Sequence, residues 1–130
     1  MYGRALLMVL AASACSHGES ARAAAVECRA LAKSKVIAGL NAEEACALVR
    51  ERASALLAAD GAALTASLTI ELDLSRAGSA IAHVRESRGG VAYAYPEIAV
   101  DVMDRSLRRE DLVRLADTIA AAVSAGPQSN

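Results

Sequence analysis

The chain has 130 residues, enough for one domain, and 55% of them are hydrophobic. Its formal net charge of −1 gives no general attraction to nucleic acid or to anionic lipid. It contains no Trp and no Phe, and its three tyrosines are Tyr2, Tyr93 and Tyr95. Aromatic platforms that stack on bases or sugars are therefore nearly absent, and we predict no nucleic-acid partner.

The first 15 residues have the pattern of an export signal. Arg4 supplies a positive charge, residues 5–12 form a short apolar run, and small residues precede Cys15. The apolar run is too short to span a bilayer, which needs about 20 residues. We therefore predict a signal peptide over residues 1–14.

The four residues Ala12-Ser13-Ala14-Cys15 resemble a bacterial lipobox, in which a signal peptidase cuts before the cysteine and a lipid is attached to it. The family pattern prefers Leu at the position of Ala12. The same residues also fit ordinary signal cleavage after Ala14. The cysteine count favours lipidation of Cys15, since it leaves an even pair, Cys28 and Cys46, for an oxidising compartment.

In this motif, in size and in its Ala/Arg-rich composition, the chain resembles small proteobacterial envelope lipoproteins. The resemblance implies a membrane anchor at Cys15 and a tether over residues 15–21. Because Ser16 rather than Asp follows the cysteine, it also implies an outer-membrane location facing the periplasm. A soluble periplasmic or secreted protein is the first alternative, and a cytosolic chain with an incidentally apolar start is the second.

Residues 22–125 are predicted to form a single α+β domain, followed by a tail over residues 126–130. The alanine-rich run over residues 20–34 predicts a first helix. Asn41 as N-cap, Glu44 three residues later and Asp60-Gly61 at the end predict a second helix. Its apolar stripe is Cys46, Val49, Ala53, Leu56 and Leu57.

Cys46 is predicted to face inward, where Cys28 could meet it. A Cys28–Cys46 bridge would close a loop of about 18 residues and stabilise the domain by about 3 kcal/mol in the chain-entropy model. Two buried free cysteines are the alternative.

Residues 64–95 predict two β-hairpins. Apolar residues occupy the even positions from 64 to 74, which is typical of a half-buried strand. A loop over residues 76–78 with Gly78 in the left-handed conformation pairs Ser75 with Ser79 and places Glu71 opposite His83.

The second turn is Gly89-Gly90, which pairs Arg88 with Val91 and Val84 with Tyr95. This register turns Val91, Tyr93 and Tyr95 towards the apolar face of the sheet.

Pro96 interrupts the second hairpin, and the apolar positions shift to Ile98, Val100 and Val102. Either a bulge or a separate edge strand explains the shift. A last helix is predicted to follow Asp104 or Ser106 and to end at Gly126-Pro127. The predicted fold is α+β: two N-terminal helices, an antiparallel β-meander of three to four strands, and one C-terminal helix packed on the sheet.

Candidate chemistry is sparse. His83 with Glu71 has the form of an acid–base pair, but it is predicted on the wet face without a nucleophile beside it. Arg105, Arg108 and Arg109 form the densest basic patch, which could hold an anionic partner. Tyr93 and Tyr95 could line a groove if the helices leave that end of the sheet open.

We expect no metal and no cofactor. The acidic residues Glu97, Asp101 and Asp104 lack the spacing and the central glycine of a calcium loop.

The predicted function is that of a non-enzymatic envelope lipoprotein, a small interaction or structural module. Its partners would be the membrane, through Cys15, and an unspecified envelope protein. The predicted binding surface is either a free sheet edge near residues 96–102 or the end with Tyr93 and Tyr95, with Arg105, Arg108 and Arg109 as further candidates. The oligomeric state is left open. The alternative is a small periplasmic enzyme or enzyme inhibitor that uses His83, Glu71 and residues 105–109.

Overall fold

The computed structural model describes residues 25–31, 39–60 and 67–127. In these ranges it has two helices and five strands. In chain order they are β1 (Ala25–Ala30), α1 (Ala42–Ala59), β2 (Ser67–Asp73), β3 (Ser79–Arg88), β4 (Val91–Ala94), β5 (Ile98–Asp101) and α2 (Arg109–Ala125). The sheet order is β1-β2-β3, and β4 and β5 share the remaining edge of β3. The helices pack on each other and on one face of the sheet.

The predicted first helix is wrong where the structure describes it, because residues 25–30 form strand β1. This strand pairs with β2 in parallel, with Cys28 beside Ile70, so the sheet is mixed and not a purely antiparallel meander. Val26, Cys28 and Ala30 are half-buried while the residues between them are exposed, which is strand alternation. Helix propensity of alanine is a weak preference that strand pairing overrides here. The fold remains α+β, with one helix before β2.

The disulfide between Cys28 and Cys46 is confirmed. It joins β1 to α1 with the two Cα atoms 5.5 Å apart. In the described sheet β1 is an edge strand, and its one neighbour is β2. The bridge gives β1 a second attachment, to helix α1. The estimate of about 3 kcal/mol for such a loop applies to this bond.

Helix α1 begins as predicted. Asn41 Oδ1 accepts from the Glu44 backbone N at 2.8 Å, and Glu44 Oε1 accepts from the Asn41 backbone N at 3.0 Å, which is a capping box. The helix ends at Ala59 with Asp60 at its C-cap. Its predicted apolar stripe lies in or against the core. Gly61 lies outside the described residues.

The predicted hairpin registers are confirmed. Glu71 pairs with His83 in the β2–β3 ladder, and Arg88 pairs with Val91 in the β3–β4 ladder. The predicted Ser75–Ser79 pair is not formed, because the ladder ends at Asp73 and the Asp73 carboxylate accepts from the Ser75 backbone N at 3.0 Å.

Gly78 has the predicted positive φ, +78°. A Cβ on it would lie 2.8 Å from the carbonyl oxygen of Val102, so this turn requires glycine.

The register break at Pro96 is a β-bulge. Val84 lies opposite Tyr95, with a backbone hydrogen bond of 2.9 Å, and Ala82 pairs with Ile98. One β3 residue, His83, therefore faces Pro96 and Glu97, which is the two-against-one count of a bulge. The extra residue explains why the apolar positions change parity, and it lets Ile98 and Val100 pack against the core.

Helix α2 starts at Arg109, later than the predicted entry at Asp104 or Ser106. It ends at Ala125 with Gly126 as C-cap, as predicted. Its apolar residues at helical spacing are buried: Leu112, Leu115, Ala116, Ile119 and Val123. Neither of the described helices combines the length and the apolar character needed to cross a bilayer. The predicted signal peptide (1–14), the tether (15–21), Cys15 and residues 128–130 lie outside the described residues.

Candidate functional site

Among the described residues, the helices cover the sheet only in part, and the part without a described cover lies at the β3–β4 hairpin. On the helix side of this hairpin the register aligns Val84 with Tyr95, Glu86 with Tyr93 and Arg88 with Val91. Burial falls along the series: Val84 and Tyr95 are buried, whereas 37% of Tyr93 and 52% of Val91 are exposed. Val91, Tyr93 and Tyr95 lie on the helix side of the sheet, as predicted. The core of the described residues does not extend to the end of the hairpin.

We call Arg88, Val91 and Tyr93 the hairpin surface. The side chain of Arg88 is 41% exposed, so the three residues place a cation, a β-branched aliphatic group and a phenol side by side at one end of the molecule. Gly89 and Gly90 form the turn beyond them with positive φ angles of +58° and +84°. Since they carry no side chains, the turn itself does not shield the hairpin surface from a large partner.

Glu86 is buried directly behind the hairpin surface. Its side chain has no solvent exposure, Oε1 accepts a hydrogen bond from the Tyr95 hydroxyl, and Oε2 lies 2.5 Å from Nη2 of Arg88 in an ion pair. Oε2 and the Nε of Arg88 are buried and have no hydrogen-bond partner among the described residues. Burial, together with the hydrogen bond to Glu86 and its charge, raises the pKa of Tyr95.

The arginines of the predicted binding surface lie at the other end of the sheet. They follow β5, whose last residue Asp101 pairs with Ser79, the first residue of β3. Because β3 has ten residues, this end is about 30 Å from the hairpin surface. The structure therefore does not bring Tyr93 and Tyr95 together with residues 105–109.

Arg105 is held by Asp111, which is fully buried. Arg105 donates to both carboxylate oxygens at 2.6 and 3.0 Å, Arg114 donates to Oδ1 at 2.6 Å, and the Arg108 backbone N donates to Oδ2 at 2.8 Å. These donors, Arg105 foremost, lower the pKa of Asp111 although burial opposes them. Arg108 and Arg109 are exposed at the start of α2.

His83 and Glu71 lie on the sheet face opposite the helices, as predicted. The Glu71 carboxylate is 3.6 Å from Nη2 of Arg85, the diagonal pairing expected on a wet face, and His83 Nε2 is 4.0 Å from Glu97. Both contacts join partly exposed side chains. This arrangement can form surface ion pairs.

A shallow groove of about 230 Å³ lies where the bulge meets the C-terminal end of α2. Its lining is mostly apolar: Tyr95, Pro96, Glu97, Ile98, Ala122, Ala125 and Gly126. Tyr95 thus contributes to a groove, as one prediction proposed, while Tyr93 does not line it. Among the described residues no group of three His, Cys, Asp or Glu side chains could hold a metal ion.

Two residues of functional interest were not predicted from sequence. Glu86 lies opposite Tyr93 in the predicted register. The alternation of side chains along β3 therefore already predicts that Glu86 points to the helix side of the sheet. The double arginine contact of Asp111 could not, because it depends on how residues 102–108 fold back over the start of α2. A scan against protein-family models and searches of curated proteins and of solved structures found no match to this chain.

Proposed function

We propose that this protein is a non-enzymatic lipoprotein of the bacterial envelope, anchored through Cys15, whose α+β domain contacts another envelope component. The observation that carries the proposal is the Cys28–Cys46 disulfide. Disulfides persist in exported proteins, and this one leaves Cys15 as the remaining cysteine of the chain. One unpaired cysteine directly after Ala12-Ser13-Ala14 in an exported protein supports lipidation at Cys15.

The resemblance of residues 12–15 to a lipobox supports the same proposal. With Ser16 after the cysteine, we place the anchor in the outer membrane and the domain in the periplasm. Residues 16–24 link the anchor to the first described strand, which starts at Ala25. A soluble periplasmic protein is the alternative location.

The hairpin surface is the contact surface that we assign to this function. It combines exposed apolar area with a cation, a composition that recognition surfaces favour. The arginines of residues 105–109 are less suited, because they lie at the other end of the sheet, about 30 Å from Val91 and Tyr93.

Intact mass of the protein purified from the envelope fraction of a bacterial host tests the anchor. The expected mass is that of a chain beginning at Cys15 plus its acyl groups. A Cys15→Ser variant is the matched control and is expected to be unacylated and absent from the membrane fraction. A chain that begins at Cys15 without acyl groups, or that retains residues 1–14, would contradict the proposal.

Thiol alkylation of the same sample tests the export step. Before reduction, Cys28 and Cys46 are expected to resist alkylation, and after reduction both are expected to react. Alkylation of both residues before reduction would show that the chain does not mature in an oxidising compartment.

A further inference from the structure

The sheet register places the start of the fold beside the hairpin surface. Ala25 pairs with Ser67, Ser67 with Ser87, and Ser87 with Ala92, so these four residues form one row across the sheet. Three strand spacings separate the ends of the row, about 14 Å. The segment that precedes Ala25 therefore joins the domain at the end that carries Val91 and Tyr93.

The length of that segment limits how far the domain can move from its anchor. Residues 16–24 separate Cys15 from Ala25, and ten fully extended residue steps reach at most about 35 Å. The opposite end of the sheet, where Asp101 pairs with Ser79, is about 30 Å further along β3. An acylated Cys15 would therefore keep Ala25, at the hairpin end of the domain, within about 35 Å of the bilayer, whereas the end at Ser79 can lie about 30 Å further away.

We infer that the hairpin surface rests on the lipid bilayer that holds the anchor, so that the membrane surface is itself the component this surface contacts. The inference depends on the lipid anchor proposed above. The chemistry of the bilayer interface fits the hairpin surface. Tyr93 would place its ring among the headgroups with its hydroxyl in water, and Val91 would reach the acyl boundary. Arg88 pairs with Glu86 through Nη2, and the 41% of its side chain that stays exposed can approach lipid phosphates.

Site-specific fluorescence in the full-length acylated protein tests this contact. The Cys28–Cys46 bridge and acylation of Cys15 remove the native thiols, so a new cysteine is the one site that a thiol-reactive NBD dye labels. One variant is Val91→Cys. Its matched control is Met103→Cys, at a residue that is 89% exposed and lies just beyond β5, at the end of the sheet away from the hairpin.

Both variants are reconstituted into vesicles of phosphatidylethanolamine and phosphatidylglycerol. The label at position 91 is expected to emit at shorter wavelength than in detergent-free buffer and to be quenched by nitroxide lipids, and the label at position 103 to do neither. Adding Tyr93→Ser to Val91→Cys is expected to reduce the shift, because the neighbouring ring no longer holds the hairpin in the interface.

The outcomes separate this inference from the anchor. If mass spectrometry shows acylated Cys15 while the label at position 91 keeps its aqueous emission, the membrane contact is refuted and the lipoprotein proposal stands. If the emission shifts only when envelope proteins are added to the vesicles, the hairpin surface binds a protein and the inference is refuted. If Cys15 carries no acyl group, the anchor fails and the inference fails with it.

Discussion

Glu86 and Asp111 are both fully buried carboxylates with arginine partners, yet they lie at opposite ends of the molecule in different surroundings. Both oxygens of Asp111 are hydrogen-bonded, by four donors from Arg105, Arg108 and Arg114. Among the described residues, the Glu86 side chain has one hydrogen bond, from Tyr95, and its Oε2 has the ion pair with Arg88 but no hydrogen bond. Charged buried groups stabilise a fold only when their hydrogen bonds are complete. The hydrogen bonds of the carboxylate are therefore satisfied at the end of the sheet that holds Asp111 but not at the hairpin end, which holds Glu86.

This difference separates a structural end from an exposed end. At Asp111 the basic residues of the loop are used to fix the start of α2. At Glu86 the covering side chains are Tyr95 and a half-exposed Arg88, and the apolar residues beyond them have no cover among the described residues. We therefore assign a partner to the hairpin end, where the hydrogen bonds of a buried carboxylate are incomplete and apolar residues are exposed.

The largest effect is expected from Asp111→Ala. The variant loses the acceptor of the Arg108 backbone N at the start of α2 and leaves Arg105 and Arg114 without this carboxylate, which should lower the free energy of unfolding by about 3 kcal/mol. Urea denaturation followed by circular dichroism measures the loss. Asp117→Ala on the same helix is the matched control, because Asp117 also pairs with an arginine, Arg52 at 2.8 Å, but both side chains are about half exposed. Equal losses in the two variants would contradict the role of burial.

The contribution of Asp111 is expected to disappear in acid. Its pKa is lowered in the fold, so the stabilisation is present above the unfolded value, about 4, and is lost as the pH falls below it. The difference in unfolding free energy between the native protein and Asp111→Ala should shrink steadily below about pH 4. A difference that stayed constant down to pH 2 would show that the Asp111 charge is not what stabilises this end.

A smaller effect is expected from Tyr95→Phe, which removes the one hydrogen bond of Glu86 and keeps the ring. A hydrogen bond to a charged group contributes about 1.5 kcal/mol, so this variant should lose about that amount in urea denaturation at pH 7. Tyr93→Phe is the control, with no such bond among the described contacts and little expected change.

The pH window of Tyr95 is opposite to that of Asp111. Its pKa is raised in the fold, so its stabilisation is present below the unfolded value, about 10, and is lost as the pH rises above it. The difference between the native protein and Tyr95→Phe should therefore shrink above about pH 10. A difference that grew with pH would contradict the hydrogen bond to Glu86.

The sequence predicts the hairpins of the sheet but does not predict strand β1. The hairpin registers follow from local information, since Gly78 and the Gly89-Gly90 pair fix short turns, and these in turn fix which residues face each other. Strand β1 could not be predicted in this way. Its partner β2 lies beyond an intervening helix, and the alternation of Val26, Cys28 and Ala30 is hidden by alanines that favour a helix.

For the candidate site, parity placed Val91, Tyr93 and Tyr95 on the helix side, but burial depends on where the helices end. The sequence predicts that α2 ends at Gly126, but the place on the sheet that this end reaches, beside Tyr95, depends on how the helix layer packs on the strands. The exposure of Val91 and Tyr93 is therefore a property of packing between the helices and the sheet that the sequence pattern does not contain.

The smallest effect is expected from Glu86→Gln, and it provides the sharpest comparison because Asp111→Asn is the same chemical change at the other end. The glutamine oxygen still accepts from Tyr95, and the lost ion pair joins a half-exposed Arg88 that can turn to water. Removing a buried charge also relieves its desolvation, so the net loss should be about 0.5 kcal/mol. Asp111→Asn turns an amide towards arginine and backbone donors and should cost about 2 kcal/mol. Urea denaturation of both variants at pH 7 measures the two losses. A loss for Glu86→Gln as large as that for Asp111→Asn would mean that the Glu86 charge stabilises the fold as much as the Asp111 charge does.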